Sequence, residues 1–286
     1  MKFFLKILIG FTYYNLFRWT SKKNIVFLFH EISDKPSKYQ KKNSLCLSKN
    51  NFIKLINYIE EYFHIRDKKK IAITFDDGFL GNFKFAIPYL IKKKIFSISF
   101  LNFYPIDLKK PNIDSKIDYF ISTKKLKKNL RFKFNEQTIP KNFNQNAKIT
   151  KYQGKIVSKK TLKKYSKNKF VFYANHLYDH YCVKNLSNKV LKENILKNKR
   201  KLSKYKCSLD FFAFPYGNLG EDFTYNQFKL TQKLVKGNIY MSDDKKKFYE
   251  NKIINRISLT EKDINKYIFW FRVLKFNLSN RGPTFE

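Results

Sequence analysis

The chain has 286 residues and a mass of 34.6 kDa, enough for one large domain or two small ones with a sizeable core. Hydrophobic residues make up 43% of it and aromatic residues 18%, with only 8 glycines and 7 prolines, which excludes disordered, collagen-like and linker-like proteins. The 60 basic and 22 acidic residues give a formal net charge of +38, so the protein would be drawn to anionic glycans and anionic membrane surfaces.

An amphiphilic segment at residues 1–20 opens the chain, and it is interrupted by Lys2, Lys6 and Arg18. Its longest uncharged stretch, residues 7–17, is too short to span a bilayer, and no signal cleavage site follows it. The pattern is typical of an aromatic, basic helix that lies on a membrane, so we predict peripheral contact with an anionic membrane. The alternative is a first helix packed on the domain.

The cysteines Cys46, Cys182 and Cys207 are odd in number and widely spaced. Without a C-x-x-C pattern they indicate neither a disulfide framework nor a zinc finger, and they favour buried thiols in a reducing compartment. Together with the missing cleavage site, this favours the cytoplasmic face of the membrane. A periplasmic or secreted location stays open.

Short apolar runs predict buried strands along the chain, at residues 25–30, 71–75, 97–101, 170–174, 211–214, 238–241 and 253–259. Helical patterns lie between them, near residues 52–59 after a capping Ser48, and at 82–94, 158–168, 186–205, 221–235 and 263–277. Strands that alternate with helices indicate an α/β fold with a parallel sheet, and their number suits a barrel. We therefore predict one domain over residues 21–280.

A lysine-rich insertion is predicted at residues 103–157, where the character of the sequence changes. Residues 121–170 hold 16 basic residues and one acidic residue, Glu136. We expect this stretch to be exposed, with some helix near residues 117–126.

Polar residues that can carry chemistry follow four of the predicted strands. They are His30, the pair Asp76 and Asp77, the pair His176 and His180, and Pro215-Tyr216-Gly217. Because active sites of α/β barrels lie at the carboxyl ends of the strands, this convergence predicts a single site.

His176 and His180 form an H-x-x-x-H pattern, which on one helical turn would aim both rings the same way. With one carboxylate they would make a three-ligand divalent metal site with an open position. Leu177 stands where the metalloprotease motif needs Glu, which excludes that motif. The alternative for the histidines is chance surface placement. Asp76 and Asp77 also allow two interpretations. One is a turn that caps a helix, and the other is a pair in which one carboxylate binds the metal and one acts as a base.

The chain resembles the NodB-homology polysaccharide deacetylases, carbohydrate esterase family 4, in motifs that occur in the same order. They are T-F-D-D-G at 74–78, N-H-L-Y-D-H at 175–180 and F-F-A-F-P-Y-G-N at 211–218. The resemblance spans roughly residues 25–259 apart from the insertion. It implies a distorted (β/α) barrel as the fold. The activity it implies is the hydrolytic removal of an acetyl group from a carbohydrate, in cell-surface glycan biosynthesis or modification.

The resemblance also implies a role for each site residue. Asp77, His176 and His180 would hold a divalent metal, and zinc is the default for this donor set. Asp76 would be the general base, and the backbone N–H of Tyr216 would help to stabilise the oxyanion.

Two departures from the family pattern concern the base and the acid. Ala213 stands where the family usually has an arginine that steadies the base, and Arg256 is the candidate to replace it. No histidine follows His180, although the family usually has a late one as general acid. Phe29-His30-Glu31 resembles instead the permuted branch that deacetylates poly-N-acetylglucosamine. His30 is therefore predicted to protonate the leaving group, which favours N-acetyl over O-acetyl substrates.

Two other function classes stay open as alternatives. The missing arginine and late histidine motivate a catalytically inactive glycan-binding protein of the same fold, although the intact set of acidic and histidine site residues argues against it. The charge alone motivates a nucleic-acid-binding protein. Only seven of the 60 basic residues are arginines and the lysines are spread along the chain, so we expect no nucleic-acid partner.

Overall fold

The computed structural model of the protein describes residues 2–17, 25–63, 72–123, 146–242 and 252–279. The strands are β1 (Val26–Phe29), β2 (Glu31–Ile32), β3 (Cys46–Leu47), β4 (Ala72–Phe75), β5 (Phe96–Leu101), β6 (Val171–Asn175), β7 (Ser208–Ala213), β8 (Ile239–Ser242) and β9 (Ile253–Ser258). The helices are α1 (Lys2–Phe17), α2 (Lys38–Lys42), α3 (Lys49–Phe63), α4 (Ile87–Lys93), α5 (Phe103–Leu108), α6 (Ile113–Ser122), α7 (Asn146–Gln153), α8 (Lys159–Tyr165), α9 (Asn188–Leu202), α10 (Tyr225–Leu234) and α11 (Lys266–Ser279).

The sheet of the described residues is a closed parallel barrel in the order β1-β4-β5-β6-β7-β8-β9, and β9 pairs with β1 to complete it. β2 and β3 form a separate parallel pair. The β6–β7 register shifts between Tyr173 and Asn175, which distorts the barrel. The predicted fold class, a distorted (β/α) barrel, is confirmed.

The predicted strands are all present, and the largest shift is in β7, which begins at Ser208 rather than at residue 211. The predicted cap of α3 is also present, because the Ser48 hydroxyl accepts the backbone N–H of Asn51 at 3.2 Å. Local signals were sufficient here because each of these strands is a short, mainly apolar run that ends near turn residues.

The predicted helix at residues 82–94 differs from the structure at its start, where a π-helical turn, Asn82–Ala86, precedes α4. The Asn82 side-chain amide donates to the carbonyl oxygen of His30 and accepts the N–H of Ile32 at 3.1 Å. The start of this helix is therefore fastened to the end of β1 by a contact between residues about 50 positions apart, which helical periodicity does not report.

The segment at residues 103–157 is predicted to be exposed, and for α6 that prediction is wrong. Asp114, Ile117 and Phe120 of α6 are buried, with no more than 6% of each exposed. Their spacing of three residues puts them on one face of the helix, so the lysines can reach water while this face packs. Residues 124–145 lie outside the described part of the chain.

The barrel interior is filled by side chains that alternate along the strands, namely Val26, Ile98, Phe100, Ala174, Ala213, Tyr240 and Ile254. The intervening side chains point outwards to the helices. Phe27 packs on Phe269 of α11 with ring centroids 5.9 Å apart, and Phe29 packs on Phe52 of α3 at 5.2 Å. Because this interior is filled, a substrate can approach the polar residues only from the mouth of the barrel.

The first helix, α1, packs on the last, α11, and Gly10 permits the close approach. A Cβ atom at Gly10 would lie 1.8 Å from the carbonyl oxygen of Tyr267. Tyr14 packs on Trp270 with ring centroids 5.2 Å apart. The helix is thus packed on the domain, as the alternative reading of residues 1–20 expected. No helix in the described ranges has the length and hydropathy that spanning a bilayer requires.

Gly10→Ala should separate α1 from α11 and destabilise the protein. Alanine in a helix is intrinsically better than glycine by about 1 kcal/mol, but the added methyl would collide with backbone. We expect a net loss of about 1–3 kcal/mol in the free energy of unfolding, measured by urea titration. The control is Thr12→Ala on the exposed side of α1, which should change little. A Gly10→Ala protein as stable as wild type would contradict this packing.

Candidate active site

The mouth of the barrel holds a cavity of about 350 Å³, and all of the predicted site residues line it. They follow the ends of four strands: His30 after β1, Asp76 and Asp77 after β4, His176 and His180 after β6, and Tyr216 after β7. The structure therefore brings together residues that are up to 186 positions apart, as the strand-end pattern predicted.

Asp76 and Asp77 are neighbours in the sequence but have different surroundings. Asp77 has a left-handed backbone with φ of 70°, and Gly78 after it has φ of 72°. Aspartate tolerates this region better than most residues, and glycine enters it without cost. The sharp turn aims the Asp77 carboxylate at His176 and His180, while Asp76 faces Arg256.

The three predicted metal ligands form one compact group. Asp77 Oδ1 lies 3.6 Å from His176 Nε2 and 3.3 Å from His180 Nε2. One ligand atom from each residue lies within 4.8 Å of the other two, and all three residues are buried. This spacing would let a single ion contact all three side chains.

His176 is prepared for ligation by its second ring nitrogen. Nδ1 pairs with the carbonyl oxygen of Ala213 at 2.8 Å, which requires a proton on Nδ1 and leaves the lone pair on Nε2 facing Asp77. Burial is the main cause that lowers the pKa of His176 to about 4. The imidazole is therefore neutral near neutral pH, as a metal ligand must be.

The fit to a cation is supported by Asp77 Oδ1, which is buried and accepts no hydrogen bond from the described residues. A buried carboxylate oxygen without a donor is costly unless a cation compensates it. The donor set of two imidazoles and one carboxylate is typical of a divalent metal site with open positions. The residues present therefore fit a divalent metal.

The H-x-x-x-H pattern does not lie on a helical turn, so that expectation is wrong. Residues 176–180 form an irregular loop after β6, and Leu177 has a left-handed backbone with φ of 67°. The loop nevertheless places the two imidazoles face to edge, with ring centroids 5.1 Å apart. Turn geometry, rather than helical periodicity, brings the two rings together.

Arg256 of β9 holds Asp76 through a buried two-pronged contact. Its Nη1 and Nη2 donate to the two carboxylate oxygens at 2.7 and 2.8 Å, and its Nε donates to the carbonyl oxygen of Met241 at 3.3 Å. Burial raises the pKa of Asp76, but the charge and hydrogen bonds of Arg256, together with the neighbouring groups, outweigh burial and lower that pKa to about 2. Arg256, the candidate to replace the arginine that this chain lacks at position 213, therefore does hold Asp76.

Sequence reasoning missed Asp114 and Tyr39, which also line the cavity. The carboxylate of Asp114 accepts a hydrogen bond from Tyr216 Oη on one oxygen and from Tyr39 Oη on the other. Burial is the main cause that raises the pKa of Tyr39 well above its usual value, so its hydroxyl stays protonated and donates. The available signal was the apolar face of α6, which the lysine content of the segment obscured.

His30 is half-buried at the cavity wall, directly after β1. Its carbonyl oxygen accepts the Asn82 amide, which holds the strand end in place. The fourth histidine of the sequence, His64, lies outside the described residues.

A family model described as polysaccharide deacetylase matches residues 64–235, more than half of the chain. The chain belongs to the polysaccharide deacetylase family. It is accordingly a hydrolase that deacetylates carbohydrate. No curated protein sequence matches it significantly.

Solved structures of deacetylases share the fold of the chain at low sequence identity. IcaB from Ammonifex degensii is 13% identical with a TM-score of 0.56, over 88% of this chain and 98% of that one. The deacetylase PplD from Streptococcus pyogenes, solved with acetate, is 12% identical with a TM-score of 0.53, over 84% and 94%. The polysaccharide deacetylase BC0361 from Bacillus cereus is 14% identical with a TM-score of 0.57, over 87% and 69%. At these identities the likeness shows the fold alone.

Asp77→Ala, His176→Ala and His180→Ala should each lose metal affinity, because each removes one of three protein donors. We expect a loss of more than about a hundredfold in zinc affinity, measured by calorimetric titration of the metal-free protein. Asp76→Asn is the matched control and should keep metal affinity. Unchanged affinity in all three alanine variants would show that the metal binds elsewhere.

Arg256→Met should destabilise the protein by about 3–5 kcal/mol, because the buried carboxylate of Asp76 would lose its counter-charge. Adding Asp76→Asn should restore part of that stability, since the amide carries no charge that needs compensation. Urea unfolding of wild type and of the single and double variants measures the coupling. If the two effects simply add, the ion pair does not carry the stability assigned to it.

Proposed function

We propose that this deacetylase removes N-acetyl groups from a carbohydrate by metal-assisted hydrolysis, with zinc as the metal. The observation that carries the proposal is that two adjacent carboxylates have different partners. Asp77 faces two imidazoles, and Asp76 faces Arg256. When bound, a divalent ion supplies Lewis acidity, which polarises the acetyl carbonyl and lowers the pKa of a water from about 16 to about 7.

Asp76 serves as the general base in this proposal. Its Oδ2 lies 4.0 Å from His176 Nε2, so the carboxylate borders the metal donors without being one of the three. Because Arg256 keeps it ionised, it can accept a proton from the attacking water. The water oxygen becomes part of acetate as the C–N bond breaks.

The backbone N–H of Tyr216 stabilises the acetyl oxygen as negative charge develops on it. Tyr216 has a left-handed backbone with φ of 64°, and its ring lies 5.2 Å from the ring of His180, measured between centroids. The bond from its hydroxyl to Asp114 supports this position from the other end of the side chain. The donor is thereby held beside the metal donors before substrate arrives.

His30 donates the proton that the leaving amine needs. It lines the same cavity as Asp76, and no other histidine of the described residues is free of the ligand set. An amine is a poor leaving group unless its nitrogen is protonated, whereas many alcohols leave more readily. A positioned histidine therefore supports N-acetyl over O-acetyl as the substrate.

The substrate in this proposal is a glycan chain of the cell surface rather than a single sugar. A second cavity of about 310 Å³ adjoins the first, and Ser44 and Thr260 line both. Its lining includes hydroxyl, carboxylate and ammonium groups, among them Ser33, Asp34 and Lys262. Such groups suit the hydroxyls of further sugar units, so the continuous cleft supports binding of more than one residue of a polymer.

Acetate release from N-acetylglucosamine oligomers of increasing length tests the function. We expect zinc-loaded protein to release acetate, a chelator to stop it, and turnover to rise when a second sugar unit is added. Asp76→Asn should keep the metal yet lose about 10²–10⁴-fold in rate, because an amide cannot accept the proton. If zinc-loaded protein binds such oligomers but releases no acetate, it is a glycan-binding protein and this proposal is wrong.

His30→Ala should lose activity selectively. On N-acetyl substrates we expect a loss of about 10²-fold or more, while hydrolysis of nitrophenyl acetate should change little, because nitrophenolate leaves without a proton. The ratio of the two losses, measured at constant zinc content, is the readout. Equal losses on both substrates would assign His30 to positioning, and no loss on either would remove it from the mechanism.

A further inference from the structure

The first helix has two apolar faces, and the domain covers only one of them. Gly10, Tyr13 and Tyr14 face α11. Large apolar side chains of α1 also reach solvent and are 46% to 75% exposed, namely Phe3, Phe4, Leu5, Leu8, Phe11 and Leu16, of which Phe11 lies beside Tyr267 at the edge of the contact. Positions 4, 8 and 11 follow each other at helical spacing, so they form a continuous stripe.

Exposed apolar side chains of this size are otherwise scattered over the described residues. Outside α1 they are Leu108, Val190, Tyr225 and Leu278, and only Leu278 belongs to the helix on which α1 packs. Single exposed apolar residues are ordinary, but a clustered patch marks an interaction surface. Phe4, Leu5, Ile7, Leu8 and Phe11, together with Tyr267 of α11, also line an open, uncharged depression.

The charge of the protein favours an anionic occupant for the stripe. Lys6 is exposed on α1 beside the Phe271 ring, with Nζ 5.9 Å from the ring centroid, and Lys275 is exposed on α11. The whole chain carries +38, so two copies would repel each other as they approached through this face. An anionic surface would be attracted over the same distance.

We infer that α1 docks the protein on an anionic lipid bilayer, with Phe4, Leu8 and Phe11 inserted at the boundary between headgroups and acyl chains. The helix is too short to cross the bilayer, so it lies in the plane of the surface while its other face stays packed on α11. The apolar stripe supplies insertion and the basic body supplies electrostatic attraction. The deacetylase is then held at a membrane without a spanning segment in α1.

Vesicle co-sedimentation of the full chain tests the inference, with phosphatidylcholine vesicles and with vesicles of phosphatidylcholine and phosphatidylglycerol in equal parts. We expect the protein to pellet with the anionic vesicles, and added salt to weaken the binding. The variant Phe4→Glu/Leu8→Glu should bind them about tenfold or more weakly, because two charges would enter the apolar boundary. Leu108→Glu is the matched control, since Leu108 is 47% exposed and lies outside the stripe.

Phe4 and Leu8 are 75% and 61% exposed, so the double variant should unfold at the same temperature as wild type, which a melting curve checks. Equal binding by the wild type and the double variant would overturn the inference, as would equal binding to both types of vesicle. A wild-type dimer that the double variant abolishes, without vesicle binding, would assign the stripe to a second copy and overturn it as well. None of these measurements uses substrate, so their outcome is independent of the test of deacetylation.

Discussion

The site depends on one buried ion pair, between Arg256 and Asp76. Burial raises the pKa of this carboxylate, and the guanidinium opposes that tendency with its charge and with two short hydrogen bonds. The pair also joins β9 to β4 across β1, and a third contact, from Arg256 Nη1 to Thr74 Oγ1 at 3.3 Å, reinforces it. Phe100 and Tyr240 flank the guanidinium, with their ring centroids 5.2 and 6.0 Å from its carbon. Arg256 therefore supplies the counter-charge of Asp76, connects β9 to β4 and packs between two aromatic rings.

That arrangement leaves the neighbouring carboxylate available for a cation. The left-handed turn at Asp77 separates two groups that would otherwise repel each other at adjacent positions. Left-handed residues also follow two other strands of the site, at Leu177 and at Tyr216. Strained turns are tolerated where the surrounding structure holds them, and here the filled barrel below them supplies that support. The rigid parallel sheet and the strained turns together preorganise the mouth.

Another wall of the cavity comes from the lysine-rich segment, whose composition did not predict a contribution to the site. Asp114 joins α6 to the loop after β7 through Tyr216, and to α2 through Tyr39. The two donated hydrogen bonds fix the position of this carboxylate. The lysine-rich segment therefore contributes structure to the mouth of the barrel, and its basic residues are compatible with this because the lysine side chains can extend from an otherwise packed helix.

The sequence by itself determined the strands, the residues at their ends and the family, because buried parallel strands are short apolar runs and strand ends of a barrel meet at one mouth. It also indicated Arg256, through the alanine at position 213. Only the tertiary structure decided that α6 lies against the site, that the histidines occupy a loop, and that one face of α1 is covered while the other is not. Those features rest on contacts between residues distant in sequence, such as Tyr39 with Asp114 or Gly10 with Tyr267. Local composition and periodicity carry no record of such pairings.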